Sequence, residues 1–170
     1  LDELLYFDEE ILTLLLTTAR MAYTDGRWSP AGLEELAAIQ SAALAFGYRL
    51  SRYHHQRTGE DFLILFEDEA AALRRHWGTY VFRLGPARGY LVQVPRPLYE
   101  INSFEYGVSL FERLKARALM VAGADPGALP VLERFARRRL PDQERVALVT
   151  DGDNGWNRKR CREGHSLQKS

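Results

Sequence analysis

Only one cysteine, Cys161, occurs in the 170 residues, so no disulfide can close within the chain and thiolate zinc sites are excluded. Histidine is also scarce, limited to His54, His55, His76 and His165. Net charge is missing too. The 23 basic and 23 acidic side chains cancel, and without a basic excess nucleic acid is disfavoured as a partner. The longest strongly apolar run, residues 11–16, is far below the roughly 18 residues that read as a membrane span. No phosphate-binding glycine loop, nucleophile elbow or kinase signature is present. No internal repeat and no signal peptide are visible, and the first residue is Leu1 rather than methionine; the expectation is a segment of a longer chain.

What is present suits a folded globule. The chain is 46% hydrophobic and 27% charged, and at this length about 70% of the unfolded surface can be buried without a disulfide or metal. Asp8 is placed to cap a helix running to about Tyr23, with Phe7 and Leu12 as a hydrophobic staple. Asp25-Gly26 ends it. Ser29 and Pro30 start a second helix with Leu33, Leu36, Ala37, Ala43 and Leu44 as the expected buried stripe, and Gly47 stops it. From there the period changes from helical to alternating. Tyr48–Tyr53 and Phe62–Phe66 read as a hairpin, and so do Trp77–Leu84 and Gly89–Val94 across Gly85-Pro86-Ala87-Arg88. Ser103–Lys115 reads as a helix capped by Ser103, with Phe104, Val108, Phe111 and Leu114 inward, and Arg117–Ala122 as a buried strand. A helix over Leu129–Leu140 and a strand over Val146–Val149 complete the pattern.

The fold class expected is therefore α/β: a mixed sheet with antiparallel hairpins and one parallel strand–helix–strand crossover, with an N-terminal helix hairpin packed on it. Residues 1–150 form one domain, made of the helical hairpin 1–47 and the sheet with its helices 48–150. Residues 151–170 are expected to be a polar, basic, flexible tail.

In such folds the loops that follow parallel strands share one sheet edge, where chemistry usually sits. Here those loops carry Arg96, Tyr99, Glu100 and Asp125. Arg96 lies between Pro95 and Pro97, which stiffen its backbone. Its guanidinium suits bidentate contact with a carboxylate or phosphate, or a structural ion pair with Glu100 or Asp125. Asp125, ahead of Pro126-Gly127, is either a base or metal ligand or an ordinary turn former. His54 and His55 are adjacent, so on a strand they face opposite ways and cannot share a metal. His76 could turn toward the strand ends, and His165 sits in the polar tail. The run Thr150-Asp151-Gly152-Asp153-Asn154-Gly155 lacks the EF-hand's sixth-position glycine and twelfth-position glutamate, and reads as a turn.

The stretch His76–Asp125 resembles zinc carboxypeptidases and poly-γ-glutamate hydrolases, a bacterial group with a mixed sheet and helices on both faces. In that group one strand ends in Val-Pro-His-Pro and a later one in Ala-Gly-Ala-His, each histidine facing a metal. This sequence has Val94-Pro95-Arg96-Pro97 and Ala122-Gly123-Ala124-Asp125, with Leu98-Tyr99-Glu100 and Leu110-Phe111-Glu112-Arg113-Leu114 also in keeping. Arginine cannot ligate a metal, because it is cationic at working pH. The resemblance thus implies the fold without its metal or any other cofactor: a non-catalytic, hydrolase-like pseudoenzyme domain. Such a domain would serve as a binding or scaffolding module for a protein partner or for other domains of a larger bacterial chain, with Arg96 and Asp125 paired across the old cleft. One alternative is an active hydrolase in which Arg96, with Tyr99 beside it, anchors an anionic substrate and Asp125 or Glu100 is the acid/base. Another is a homo-oligomer formed through the N-terminal helix hairpin.

Overall fold

A computed structural model describes residues 2–97 and 101–123, and the backbone of 145–148. The first helix, α1, runs through three consecutive segments: Asp2–Tyr6, a π-helical stretch Phe7–Thr13, and Leu14–Met21. Helix α2 spans Pro30–Ala45 and α3 spans Ser103–Arg113. The strands are β1 (Tyr23–Thr24), β2 (Arg27–Trp28), β3 (Tyr48–His55), β4 (Glu60–Glu67), β5 (Thr79–Arg83), β6 (Arg88–Val94), β7 (Ala116–Val121) and β8 (Arg145–Leu148). A small ribbon pairs β1 with β2, and the other six strands form one sheet in the order β3-β4-β5-β7-β6-β8.

The sheet is mixed, as its sequence suggests. β3, β4, β5 and β7 pair antiparallel in turn, whereas β6 runs parallel to both β7 and β8. Successive residues of each strand feed opposite faces. Leu63, Leu65, Tyr80, Phe82, Leu91, Ala118 and Met120 face α1 and α2, while Phe62, Val92, Val94 and Leu119 face α3. On the first side Phe7 is the central anchor, its ring 4.8 Å from that of Tyr48 and 4.9 Å from that of Trp77. Burying such a ring contributes roughly 1.5–3 kcal/mol.

Helix α1 begins at Asp2, six residues before the expected cap at Asp8. Asp8 is therefore not a cap but a buried residue inside the π-helical stretch, 1% exposed. There the wider turn leaves the Asp8 carbonyl to accept from the Thr13 hydroxyl at 2.8 Å. Ser29 does cap α2, its Oγ accepting from the Gly32 amide at 3.1 Å, with Pro30 at the first helical position. The buried side of α2 differs from the expected stripe: Ile39 and Ala43 are buried, whereas Leu33 and Leu44 are about half exposed. Ala-rich helices carry apolar residues all round, so periodicity alone does not fix which side packs.

Further expectations are corrected, beginning with α3. Asn102, in the left-handed conformation, occupies the N-cap position of α3 without a side-chain cap bond, and Ser103 is the buried first helical residue. Phe104 is 45% exposed, leaving Phe111 as the buried ring of that helix. The second correction concerns topology: β5 and β6 are not a hairpin, because β7 lies between them. A Gly-Pro turn serves equally to step across a strand that arrives later. Arg117 secures that step, its Nη1 donating to the Arg83 and Gly85 carbonyls at 2.9 and 3.0 Å. The burial of Leu91, Val92, Gln93 and Val94 in a row, on both faces, marks β6 as an interior strand. Trp77 and Gly78 precede β5 rather than begin it.

Candidate functional site

Because β6 and β7 are parallel and pair Val94 with Val121, both end at one edge of the sheet, and the Ala122 amide donates to the Val94 carbonyl at 2.9 Å. β4 ends at this same rim and β5 starts there, pairing Thr79 with Val121. The loops carrying the expected site residues thus depart from neighbouring strands. Arg96 stands two residues past Val94 and is exposed. Tyr99, Glu100 and Asp125 lie outside the described residues, and so do Cys161, His165, the helix expected over Leu129–Leu140, the 150–155 run and the 151–170 tail.

A cleft of about 750 Å³ opens along this rim, lined among others by Arg49, Glu67, Asp68, Arg74, His76 and Thr79. Its floor is made by close backbone approach. Gly78 has φ +107°, and a Cβ there would fall 2.2 Å from the Val121 carbonyl oxygen; one on Gly123 would fall 2.1 Å from that of His76. His76 itself adopts a left-handed backbone with φ 55°, which brings it into the cleft wall near the strand ends.

Two of the three carboxylates lining the cleft, Glu67 and Asp68, are already held, while Glu69 is exposed. Glu67 accepts from the Arg75 amide and, at 3.1 Å, from the His76 amide, while Arg74 Nε lies 3.8 Å away. Asp68 accepts from the Ala70 amide at 3.1 Å and pairs with Arg49. The Ala70 N–H first, then the Arg49 guanidinium, lower the Asp68 pKa.

A second polar cluster sits at the opposite edge, beside a cavity of about 640 Å³ whose lining includes Tyr23, Gly26, Glu60, Asp61, Pro86 and Lys115. Asp61 accepts from the Tyr23 hydroxyl and lies 3.1 Å from His54 Nδ1 and 3.2 Å from Arg52 Nη2. Burial alone would raise the Asp61 pKa, but the Tyr23, His54 and Arg52 contacts outweigh it and hold the carboxyl below its usual range. His55 faces away from His54, and its Nδ1 accepts from the Thr58 amide at 3.2 Å. Next to this cluster Arg83 is fully buried, its guanidinium between the Phe62 and Phe111 rings at 4.9 and 4.6 Å. It donates to the Ala116 and Phe111 carbonyls at 3.1 and 3.2 Å and pairs with Glu60, which Lys115 also reaches at 2.9 Å.

Sequence reasoning missed Asp61, Tyr23, Arg83 and Glu67. The first was within reach: the β3–β4 hairpin with its Gln56–Gly59 turn sets His54 opposite Asp61. Arg83 gave no such signal, since an arginine on an alternating strand reads as solvent-facing. Among the described residues no three His, Cys, Asp or Glu side chains come together to hold a metal, and no helix is long and apolar enough to cross a membrane. Protein-family models, curated proteins and solved structures provide no match to this chain.

Proposed function

We propose that this domain is a non-catalytic binding module on a hydrolase-like α/β sheet, part of a larger bacterial protein, in which Arg96 holds an anionic group of a protein partner or neighbouring domain. The observation that carries this reading is the state of the rim cleft. Two of its three carboxylates, Glu67 and Asp68, are taken up by fixed amide donors and arginines, and the third, Glu69, is exposed on the turn beyond β4. A general base must be open to the proton it abstracts, which Glu67 and Asp68 are not. Arg96 is exposed at the same edge on a stiff Pro95–Pro97 backbone, which suits a bidentate contact with a carboxylate at little entropic cost. In the resemblance read from the sequence, Val94-Pro95-Arg96-Pro97 has arginine at the position where zinc carboxypeptidases and poly-γ-glutamate hydrolases have a metal-binding histidine.

The volume of the cleft and His76 on its wall favour a second reading, a hydrolase with Arg96 as substrate anchor and Asp125 or Glu100 as acid/base. Calorimetric titration with glutarate and an assay of glutamate release from poly-γ-glutamate separate the two. The binding module predicts glutarate binding that Arg96→Ala weakens at least about tenfold, a loss of roughly 1.4 kcal/mol, with no release. Release abolished by Arg96→Ala would overturn it in favour of the enzyme. Glutarate binding unaffected by Arg96→Ala would remove both.

A further inference from the structure

We propose that the outer edge of β3 takes up an acidic peptide in extended conformation as an added strand. Among the described residues β3 is one of the two terminal strands of the sheet. Its odd-numbered residues face β4, as the bond from the Asp68 amide to the Gly47 carbonyl sets the phase. The even-numbered ones point their N–H and C=O groups outward, and the Leu50 amide accordingly bonds the Gln40 side chain at 2.8 Å instead of β4. Beyond Leu50 that cover ends. The outward backbone groups of Arg52 and His54 have no partner among the described residues, and the side chains of 51–54 are exposed on both faces of the strand. The register with β4 is unbroken from Tyr48 to His55, with no bulge and no proline. Proteins usually blunt such an edge; here two residues' worth of ladder bonds remains open.

The side chains select the occupant. From Tyr48 to Gly59 there are three arginines and two histidines and no acidic residue. An added strand would place its side chains beside Arg52 and His54 on one face and beside Ser51 and Tyr53 on the other, where opposite charge stabilises and like charge repels. Asp61 lies on the β4 side and holds the Arg52 and His54 side chains in place. A second copy of β3 fits poorly. Two-fold pairing centred on Arg52 or Tyr53 sets Arg52 against itself or His54, and registers nearer the start of the strand need the Leu50 amide, already taken by Gln40. An acidic strand meets neither obstacle, and β-strand addition of this kind draws affinity from main-chain bonds and specificity from the flanking side chains.

The probe is a fluorescein-labelled peptide of alternating glutamate and valine, followed by anisotropy against the full chain. Three controls accompany it: the peptide N-methylated at two adjacent central residues, which blocks both of its edges; a lysine/valine peptide; and single-stranded DNA. The expected result is binding of the glutamate peptide alone, weakened at least about tenfold by N-methylation and weakened further by added salt. Ser51→Glu should weaken it and Ser51→Lys strengthen it, since Ser51 is exposed and its side chain engages nothing else that would unfold. Arg96→Ala should leave it unchanged, which keeps this edge distinct from the rim. Equal binding of the N-methylated peptide, binding of the lysine peptide or DNA with similar affinity, indifference to both Ser51 variants, or a concentration-dependent dimer that occludes the probe would overturn the proposal.

Discussion

Replacing Arg83 by alanine should be among the costliest single changes in this chain. Its guanidinium is fully buried between two aromatic rings and donates to two carbonyls and to Glu60. Truncation removes the rings' cation, leaves the Ala116 and Phe111 carbonyls without their donors, and opens a void. Losses of this kind cost about 3–5 kcal/mol. Urea unfolding of Arg83→Ala should show a lower midpoint with an unchanged slope; a loss under about 1 kcal/mol would mean that water or a neighbour replaces the guanidinium at little cost. The Tyr23–Asp61 contact is smaller and more informative, because it ties stability to pH. Asp61 is held below its ordinary pKa, so its unfolded form binds protons more readily as pH falls. The stability it contributes at neutral pH is therefore lost in the acid range, below about pH 4. Tyr23 is shifted the other way: burial first, then Asp61, raise its pKa, so its contribution holds below about pH 10 and fades as pH rises through the folded value. Tyr23→Phe should cost about 1 kcal/mol at neutral pH and flatten the stability profile at both ends. A profile parallel to that of the unaltered protein would show that the pair does not titrate as described.

At the level of elements, α1 is fastened to the sheet mainly through Phe7, whose ring packs between Tyr48, Trp77 and Tyr80. Phe7→Ala should destabilise by about 3–5 kcal/mol and speed amide exchange in α1 and β5 ahead of α3, which packs on the other face. Uniform loss of protection would instead indicate one cooperative unit. How well each element could be read from the sequence depends on how local its cause is. The β3–β4 hairpin, Ser29 with Pro30 at the start of α2, and the β6–α3–β7 crossover follow from short-range period and turn chemistry, and the structure has them. The start of α1 is different. Asp8 looks like a cap only if the residues before it are not helical, yet Leu4 and Leu5 continue the apolar pattern and Leu4 packs on the core. The placement of β7 between β5 and β6 is a non-local pairing, and the Gly85-Pro86 turn between those strands gives no warning of it.

At the scale of the whole sheet, the described polar side chains gather at two opposite rims. The rim at the ends of β6 and β7 carries the exposed Arg96 and, along it, a cleft lined by His76 in which Glu67 and Asp68 are compensated. The opposite edge gathers the Tyr23–Asp61 and Arg83–Glu60 contacts that tie ribbon, sheet and α3 together. Arg96 was legible as a candidate because two prolines frame it, whereas Glu67 and His76 reach the same edge only through the antiparallel return of β4 and β5.

The proposed binding role requires Arg96 to present its cation beside the ends of two parallel strands, β6 and β7. Amide chemical-shift mapping of the isotope-labelled chain during a glutarate titration tests it most directly. Shifts confined to residues near Val94–Arg96, His76–Thr79 and Ala122–Gly123, and absent in Arg96→Ala, are what the account predicts. Shifts centred on Tyr23, Asp61 and Lys115 at the far edge, or a pattern that Arg96→Ala leaves intact, would contradict it.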